Sequence, residues 1–209
     1  LYRKLSISRV YDGLPIGPRL CLSDFQVIGK TEFEGEECLM YLDDQNIGWA
    51  FVKDTSGRWL AERNHYLRIN VETDEITITT PTGFRRIFRQ GRIVQSIDRN
   101  GNATRYNYDG SGRLLEKVLP CGRKYTYTWN AEGTRVAKTT DPRGGQYSRS
   151  FVYDANGMLT RIIFADGTTH DFARNGSKAD TALVSGYKYR DNTTESFEYD
   201  DQGRMTKLT

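Results

Sequence analysis

Cysteine, proline and histidine are scarce in this chain, and it has no long apolar run. Each shortage closes off a class of protein. Cys21, Cys38 and Cys121 are an odd, scattered set, with neither Cys-x-x-Cys metal spacing nor a disulfide framework. They read as reduced packing residues, with one bridged pair left open for an exported chain. No 18 consecutive residues are apolar, so the sequence holds no transmembrane helix. The first residues, LYRKLSISRVYDG, lack the apolar run of a signal peptide, and a start at Leu rather than Met points to missing upstream sequence. No apolar i, i+3, i+4, i+7 pattern persists for three turns, which predicts little helix. Net charge is small: 30 basic against 27 acidic side chains give +3, too even to imply a nucleic-acid partner.

What is present is aromatic. The 209 residues include 13 Tyr, 9 Phe and 3 Trp, while apolar content is only 37%. Tyr packs its ring on a sheet face and keeps its hydroxyl wet. The composition therefore predicts broad β-sheet surfaces paved with amphipathic aromatics. The five prolines and 20 glycines fall mostly at turns, so the chain does not read as disordered.

Residues 1–97 read as a β-rich lead-in. Lys4 to Tyr11 alternates like a strand, and Leu20 to Leu22 and Asp24 to Ile28 are short strand candidates. Thr31 to Glu37 holds four glutamates around a glycine and is expected to be an exposed loop. Cys38 to Leu42 and Trp49 to Val52 read as strands joined through Asp43 to Asn46. A meander follows, with strands over Tyr66–Val71, Ile76–Thr79, Phe84–Phe88 and Arg92–Val94.

From residue 98 a hairpin unit recurs. Asp98-x-x-Gly101 and Asp109-x-x-Gly112 bracket the strand Arg105-Tyr106-Asn107-Tyr108. Asp at the first turn position bonds the backbone two residues on, and Gly at the last takes positive φ, so each tetrapeptide predicts a type I turn closed by a left-handed glycine. Tyr108-Asp109-x-x-Gly112-Arg113-Leu114 is followed by Trp129-Asn130-x-x-Gly133, then Tyr153-Asp154-x-x-Gly157, then Tyr199-Asp200-x-x-Gly203-Arg204. The aromatic anchors stand 21, 24 and 46 residues apart; the last gap is double, and Phe172 with Arg174-Asn175-Gly176 is expected to be a degenerate copy. Phe88 to Ile93 reads as a shortened first copy. A second series alternates with the first: Asp98-x-x-Gly101, Leu119-x-x-Gly122, Asp141-x-x-Gly144 and Phe164-x-x-Gly167. Residues 98–209 thus hold about five copies with a period of about 22, the signature of stacked units that bury each other's faces.

These residues resemble the YD repeats of Rhs proteins, insecticidal toxin-complex C components and teneurins, and the in-phase motif Y-D-x-x-G-R-L carries the likeness over 98–209. Leu5 to Tyr11 and Thr80 to Phe88 resemble the start and end of the region preceding the repeats in bacterial Rhs proteins. The resemblance implies an all-β strip of antiparallel hairpins that spirals into a shell. In bacterial relatives such a shell shelters a C-terminal toxin delivered by a secretion system, often type VI. Its partners would be the toxin cargo, the remaining shell repeats and secretion-apparatus proteins. A shell needs more repeats than these, so a fragment, or a small member unable to enclose a toxin alone, is expected. Asp141-Pro142-Arg143-Gly144 resembles the family's self-cleavage segment only superficially, and it lies in register with the other turns.

Chemistry finds little support. His65 and His170 lack fixed-spacing partners, and no G-x-S-x-G, H-E-x-x-H, Walker A or paired Cys/His motif occurs. Asp43, Asp44, Glu34 and Glu36 contain a conceivable glycosidase pair, but consecutive acids in a loop are ordinarily solvated. Asp154 and Asp200-Asp201 lack the alternating ligands and terminal Glu of an EF-hand. The run Phe84 to Arg89 with Arg92 suits nucleic acid, yet arginines over aromatic sheet faces paired with carboxylates suit it better. The residues therefore predict no enzyme, no metal and no cofactor. The first reading is a shell segment; the alternative is a surface module binding carbohydrate or a partner protein through exposed aromatics. Open sheet edges predict self-association.

Overall fold

The structure, a computed structural model, describes residues 24–33, 35–44, 47–61, 66–175 and 183–209. Lys4 to Tyr11, Leu20 to Leu22, Glu34, His65 and Gly176 lie outside the described residues. Among those described, the chain is all-β: 18 strands, antiparallel in each recorded pairing, and a single 3-10 turn over Gly145–Tyr147. Packing divides the described chain into two compact units, 24–124 and 125–209. This is a division of contacts, whereas the sequence boundary at 97 separates lead-in from repeats.

The first unit holds β1 (Val27–Phe33), β2 (Glu36–Leu42), β3 (Gly48–Lys53), β4 (Trp59–Ala61), β5 (Arg68–Val71), β6 (Ile76–Thr79), β7 (Arg85–Arg89), β8 (Arg92–Ile97), β9 (Ala103–Tyr108) and β10 (Leu114–Val118). β1 to β4 form one antiparallel run and β5 to β10 another. They meet where Val27 pairs with Arg92 and the Ile28 N–H donates to the Gly91 carbonyl at 2.9 Å. The expected loop over Thr31 to Glu37 is a correction: β1 and β2 run through it as a hairpin, with Thr31 opposite Cys38 and Glu32 opposite Glu37. The chain reverses at Gly35, φ 82°. The acids are accommodated by pairing, since Glu37 lies 3.0 Å from Lys30 and 2.6 Å from Lys53.

β2 is buried from Cys38 to Leu42. With Phe51, Ile78, Phe88, Ile93 and Leu114 it builds a solid aliphatic and aromatic core, the kind of burial that dominates folding free energy. The Tyr41 ring meets Phe88 edge-on at 5.5 Å. Cys38 is buried and Cys121 exposed.

The second unit holds β11 (Lys124–Trp129), β12 (Val136–Thr140), β13 (Arg149–Tyr153), β14 (Leu159–Phe164), β15 (Thr169–Asn175), β16 (Leu183–Lys188), β17 (Thr194–Tyr199) and β18 (Met205–Leu208). Each pairs antiparallel with the next, a plain meander. Its core is thinner: Tyr127, Val136, Phe151, Met158 and Leu159.

Candidate functional site

The unit that repeats is a hairpin with two devices, a turn and a bulge. At Asp109 the backbone N–H of Gly112 donates to the Asp109 carbonyl at 2.9 Å, and Gly112 sits at φ 75°. The Asp109 carboxylate accepts from the N–H groups of Ser111 and Arg113, both at 2.9 Å, and from Arg113 Nε at 2.6 Å. Those bonds, the Arg113 N–H first and its guanidinium next, hold the Asp109 carboxyl below its ordinary range. Asp200 repeats this with Gln202 and Arg204, and Asp154 with the N–H groups of Asn156 and Met158. Asn130 substitutes its amide oxygen, accepting from Thr134 and Arg135 at 2.8 and 3.0 Å. Gly133, Gly157 and Gly203 take φ of 68°, 74° and 74°.

The bulge follows the turn. In six hairpins one residue is left over on the second strand: Val94, Leu115, Ala137, Thr160, Ser185 and Thr206. The residue before it pairs with the anchor, as Leu114 with Tyr108 or Leu159 with Tyr153. A bulge leaves backbone groups out of the ladder and increases local twist. The next copy's tyrosine fills that gap. Tyr108 Oη donates to the Ile93 carbonyl at 2.8 Å, Tyr153 to Val136 at 2.7 Å and Tyr199 to Val184 at 2.7 Å. The expectation of water-facing hydroxyls is thus corrected for these tyrosines: each hydroxyl meets a carbonyl that the bulge withdraws from ordinary pairing. Burial pushes the phenols of Tyr108 and Tyr153 up, since the neutral form is favoured away from water.

The motif glycines carry a second duty. A Cβ built on Gly112 would stand 2.3 Å from Arg92 Cζ, and one on Gly157 would stand 3.4 Å from an Arg135 nitrogen. Arg135 Nε donates to the Gly157 carbonyl at 3.2 Å. In three copies the residue just before the bulge pair, Arg92, Arg135 or Leu183, lies over the glycine of the following copy, Gly112, Gly157 or Gly203, and the same three junctions carry the tyrosine hydroxyl.

The degenerate copy differs from expectation in register. Arg174, not Phe172, pairs with Val184 ahead of the bulge and occupies the anchor position. Phe172 stands two residues earlier, where other copies hold Tyr106, Tyr127, Phe151 and Phe197. That recurring aromatic was the available signal. Asp141 turns the chain as its neighbours do, with Gly144 N donating to the Asp141 carbonyl at 3.1 Å and Arg143 bonded to both carboxylate oxygens at 2.9 and 2.8 Å.

Among the described residues the candidates for chemistry are not brought together as a catalytic set. His170 stacks on Phe172 at 4.7 Å, with Tyr189 and Tyr187 at 5.0 and 5.5 Å. Asp43 accepts from the Ile47 N–H and from Trp49 Nε1, both at 2.8 Å, as a structural cap. Arg89 lies on Glu75 at 3.0 Å, consistent with the ion-pair reading of the basic run. Among the described residues no group of three or more His, Cys, Asp or Glu could hold a metal.

Against known proteins, a family model described as RHS Repeat matches residues 89–122 and 108–146. The double-stranded DNA deaminase toxin A of Burkholderia cenocepacia strain H111 is 29% identical over 120 residues, which is 56% of this chain and 8% of that protein. Solved structures include TcdB2-TccC3-TEV, at 13% identity and TM-score 0.41, covering 77% of this chain and 10% of that one. A porin-like protein from Bacteroides uniformis has 8% identity and TM-score 0.40, covering 88% and 93%. At these scores the structural likeness carries no argument; the repeat match and the hairpin geometry do.

Proposed function

We propose that this chain, which belongs to the Rhs/YD-repeat family, is a structural segment of an encapsulating shell in a secreted bacterial polymorphic toxin and performs no catalysis of its own. The observation that carries the reading is the tyrosine donated by one hairpin to the bulge of the hairpin before it, at 2.7 to 2.8 Å in three places. A bulge repeated at every second turn adds twist in one sense, and a sheet twisted at regular intervals curves. The interlocking hydroxyl and the arginine over the next glycine fix that curvature. Function then resides in the wall: it keeps a toxin cargo apart from the cell that makes it.

Two further findings support it. The chain spans about 8% of the length of its curated relative, and that relative is a toxin by name. Long repeat arrays leave room for a separate toxin domain, here placed C-terminal to the repeats. Delivery by a secretion system, type VI among them, belongs to the same proposal, as do partnerships with further repeats and with the secretion apparatus.

Protease protection tests the reading. In the full-length parent protein, trypsin should leave the toxin domain intact until the repeats are denatured. A toxin domain cleaved as fast in the parent as on its own would overturn it.

A further inference from the structure

Three asparagines precede a glycine in this chain, and two of the pairs, Asn100-Gly101 and Asn156-Gly157, lie wholly among the described residues. Each closes an Asp-x-Asn-Gly turn, one between β8 and β9 and the other between β13 and β14, and both asparagines are exposed. Asparagine before glycine is the pair in a polypeptide most prone to losing ammonia. Glycine has no Cβ to shield its nitrogen, so that nitrogen reaches the asparagine side-chain carbon with little hindrance.

The turn spends the group that this reaction needs. The Gly101 N–H donates to the Asp98 carbonyl at 3.1 Å, and the Asn100 N–H to the Asp98 carboxylate at 2.8 Å. The Gly157 N–H donates to the Asp154 carbonyl at 3.0 Å, and the Asn156 N–H to the Asp154 carboxylate at 2.9 Å. A nitrogen whose proton is held by an acceptor has to be released before it attacks, and release opens the turn. The two turns differ in what covers them. A Cβ on Gly101 would meet nothing within 4 Å, whereas the Arg135 guanidinium lies over Gly157 and its Nε donates to the Gly157 carbonyl at 3.2 Å.

We propose that Asn100 and Asn156 are self-modification sites latched by their own turns: each converts to isoaspartate only while its turn is open, and Arg135 of the preceding hairpin is a second latch on Asn156. In the step, the Gly101 nitrogen gives its proton to water and bonds to Asn100 Cγ, the Cγ–Nδ2 bond breaks, and ammonia leaves. Water then opens the five-membered imide, and opening at the main-chain carbonyl yields isoaspartate. Asn156 and Gly157 react in the same way. Isoaspartate adds a methylene to the main chain inside a turn whose length sets the hairpin register, so the closed turn does not re-form. A single opening thereby becomes permanent. The proposal rests on the turns alone and stands or falls separately from the shell.

The test is peptide mapping by mass spectrometry, with isoaspartate scored by an isoaspartyl methyltransferase, on the 209-residue chain kept at pH 8 with and without guanidinium chloride. Conversion at both asparagines should be at least tenfold slower in the folded chain. Asp98→Ala should speed conversion of Asn100 at least threefold and leave Asn156 as it was, while Arg135→Gln should speed Asn156 and leave Asn100 as it was. If Asp98→Ala fails to fold, both sites speed up together and Arg135→Gln decides. Equal rates in the folded and denatured chain, or an Arg135→Gln chain in which Asn156 reacts no faster, would overturn the proposal.

Discussion

Tyr153 Oη donates to the Val136 carbonyl at 2.7 Å, across 17 residues of chain and from one hairpin to another. Val136 is fully buried, and the residue after it is the bulge. Removing the hydroxyl would leave that carbonyl without its donor. Tyr153→Phe should therefore cost about 1–3 kcal/mol, the usual penalty of an unsatisfied buried polar group. Tyr147, 47% exposed and meeting Arg143 by its ring, is the control. Urea unfolding of the two Phe variants should give a lower midpoint for Tyr153→Phe alone; equal midpoints would remove the tyrosine from its linking role.

Gly101 separates backbone strain from crowding. It sits at φ 86°, and an added Cβ would meet nothing within 4 Å. Gly101→Val should cost about 1–2 kcal/mol from the left-handed backbone alone. Gly112→Val should cost more, because its Cβ would also displace the Arg92 guanidinium. Asn192 holds the same place in its turn at φ 68°, and Asn192→Gly should be nearly neutral, since Asn tolerates this region. Thermal unfolding that ranked the three otherwise would refute the turn assignment.

Acid should loosen the chain through its turns. The carboxyls of Asp54, Asp98, Asp109, Asp191 and Asp200 are held below their ordinary values by hydrogen bonds to turn backbone and side chains. In the unfolded chain they titrate near 3.9. Folded values below unfolded ones mean that the unfolded state takes up protons first. The contribution is complete above roughly pH 5 and fades as pH falls through the folded values. The urea midpoint should be level from pH 7 to 5 and drop towards pH 3, less steeply in Asp98→Asn. A midpoint unchanged at pH 3 would contradict this.

β18 exposes Met205 by 55% and Leu208 by 62%, although the equivalents of Met205, namely Leu114, Val136 and Leu159, are at most 1% exposed. Among the described residues β18 pairs with β17 alone, and a strand edge with apolar side chains invites another strand. Light scattering should show self-association that rises with concentration and is reduced in Met205→Lys. A concentration-independent monomer would count against the open edge.

The hairpins were legible because Asp-x-x-Gly encodes its turn locally: the carboxylate, the carbonyl and the glycine all belong to five consecutive residues. The links between hairpins were not, because a tyrosine and its carbonyl stand 15 or 17 residues apart and a backbone acceptor leaves no mark on side-chain identity. Arg174 hid the degenerate copy, since the aromatic that looked like the anchor, Phe172, sits two residues early on the same face. Four glutamates made Thr31 to Glu37 look like a loop; pairing of Glu37 with two lysines is a tertiary fact that local composition does not contain.

The proposal that linked bulges curve the repeats into a shell wall is tested most directly by imaging of the full-length parent protein. Negative-stain electron microscopy should show a hollow, walled particle with density for cargo inside. A compact globule without an interior, or an extended flat ribbon, would contradict it.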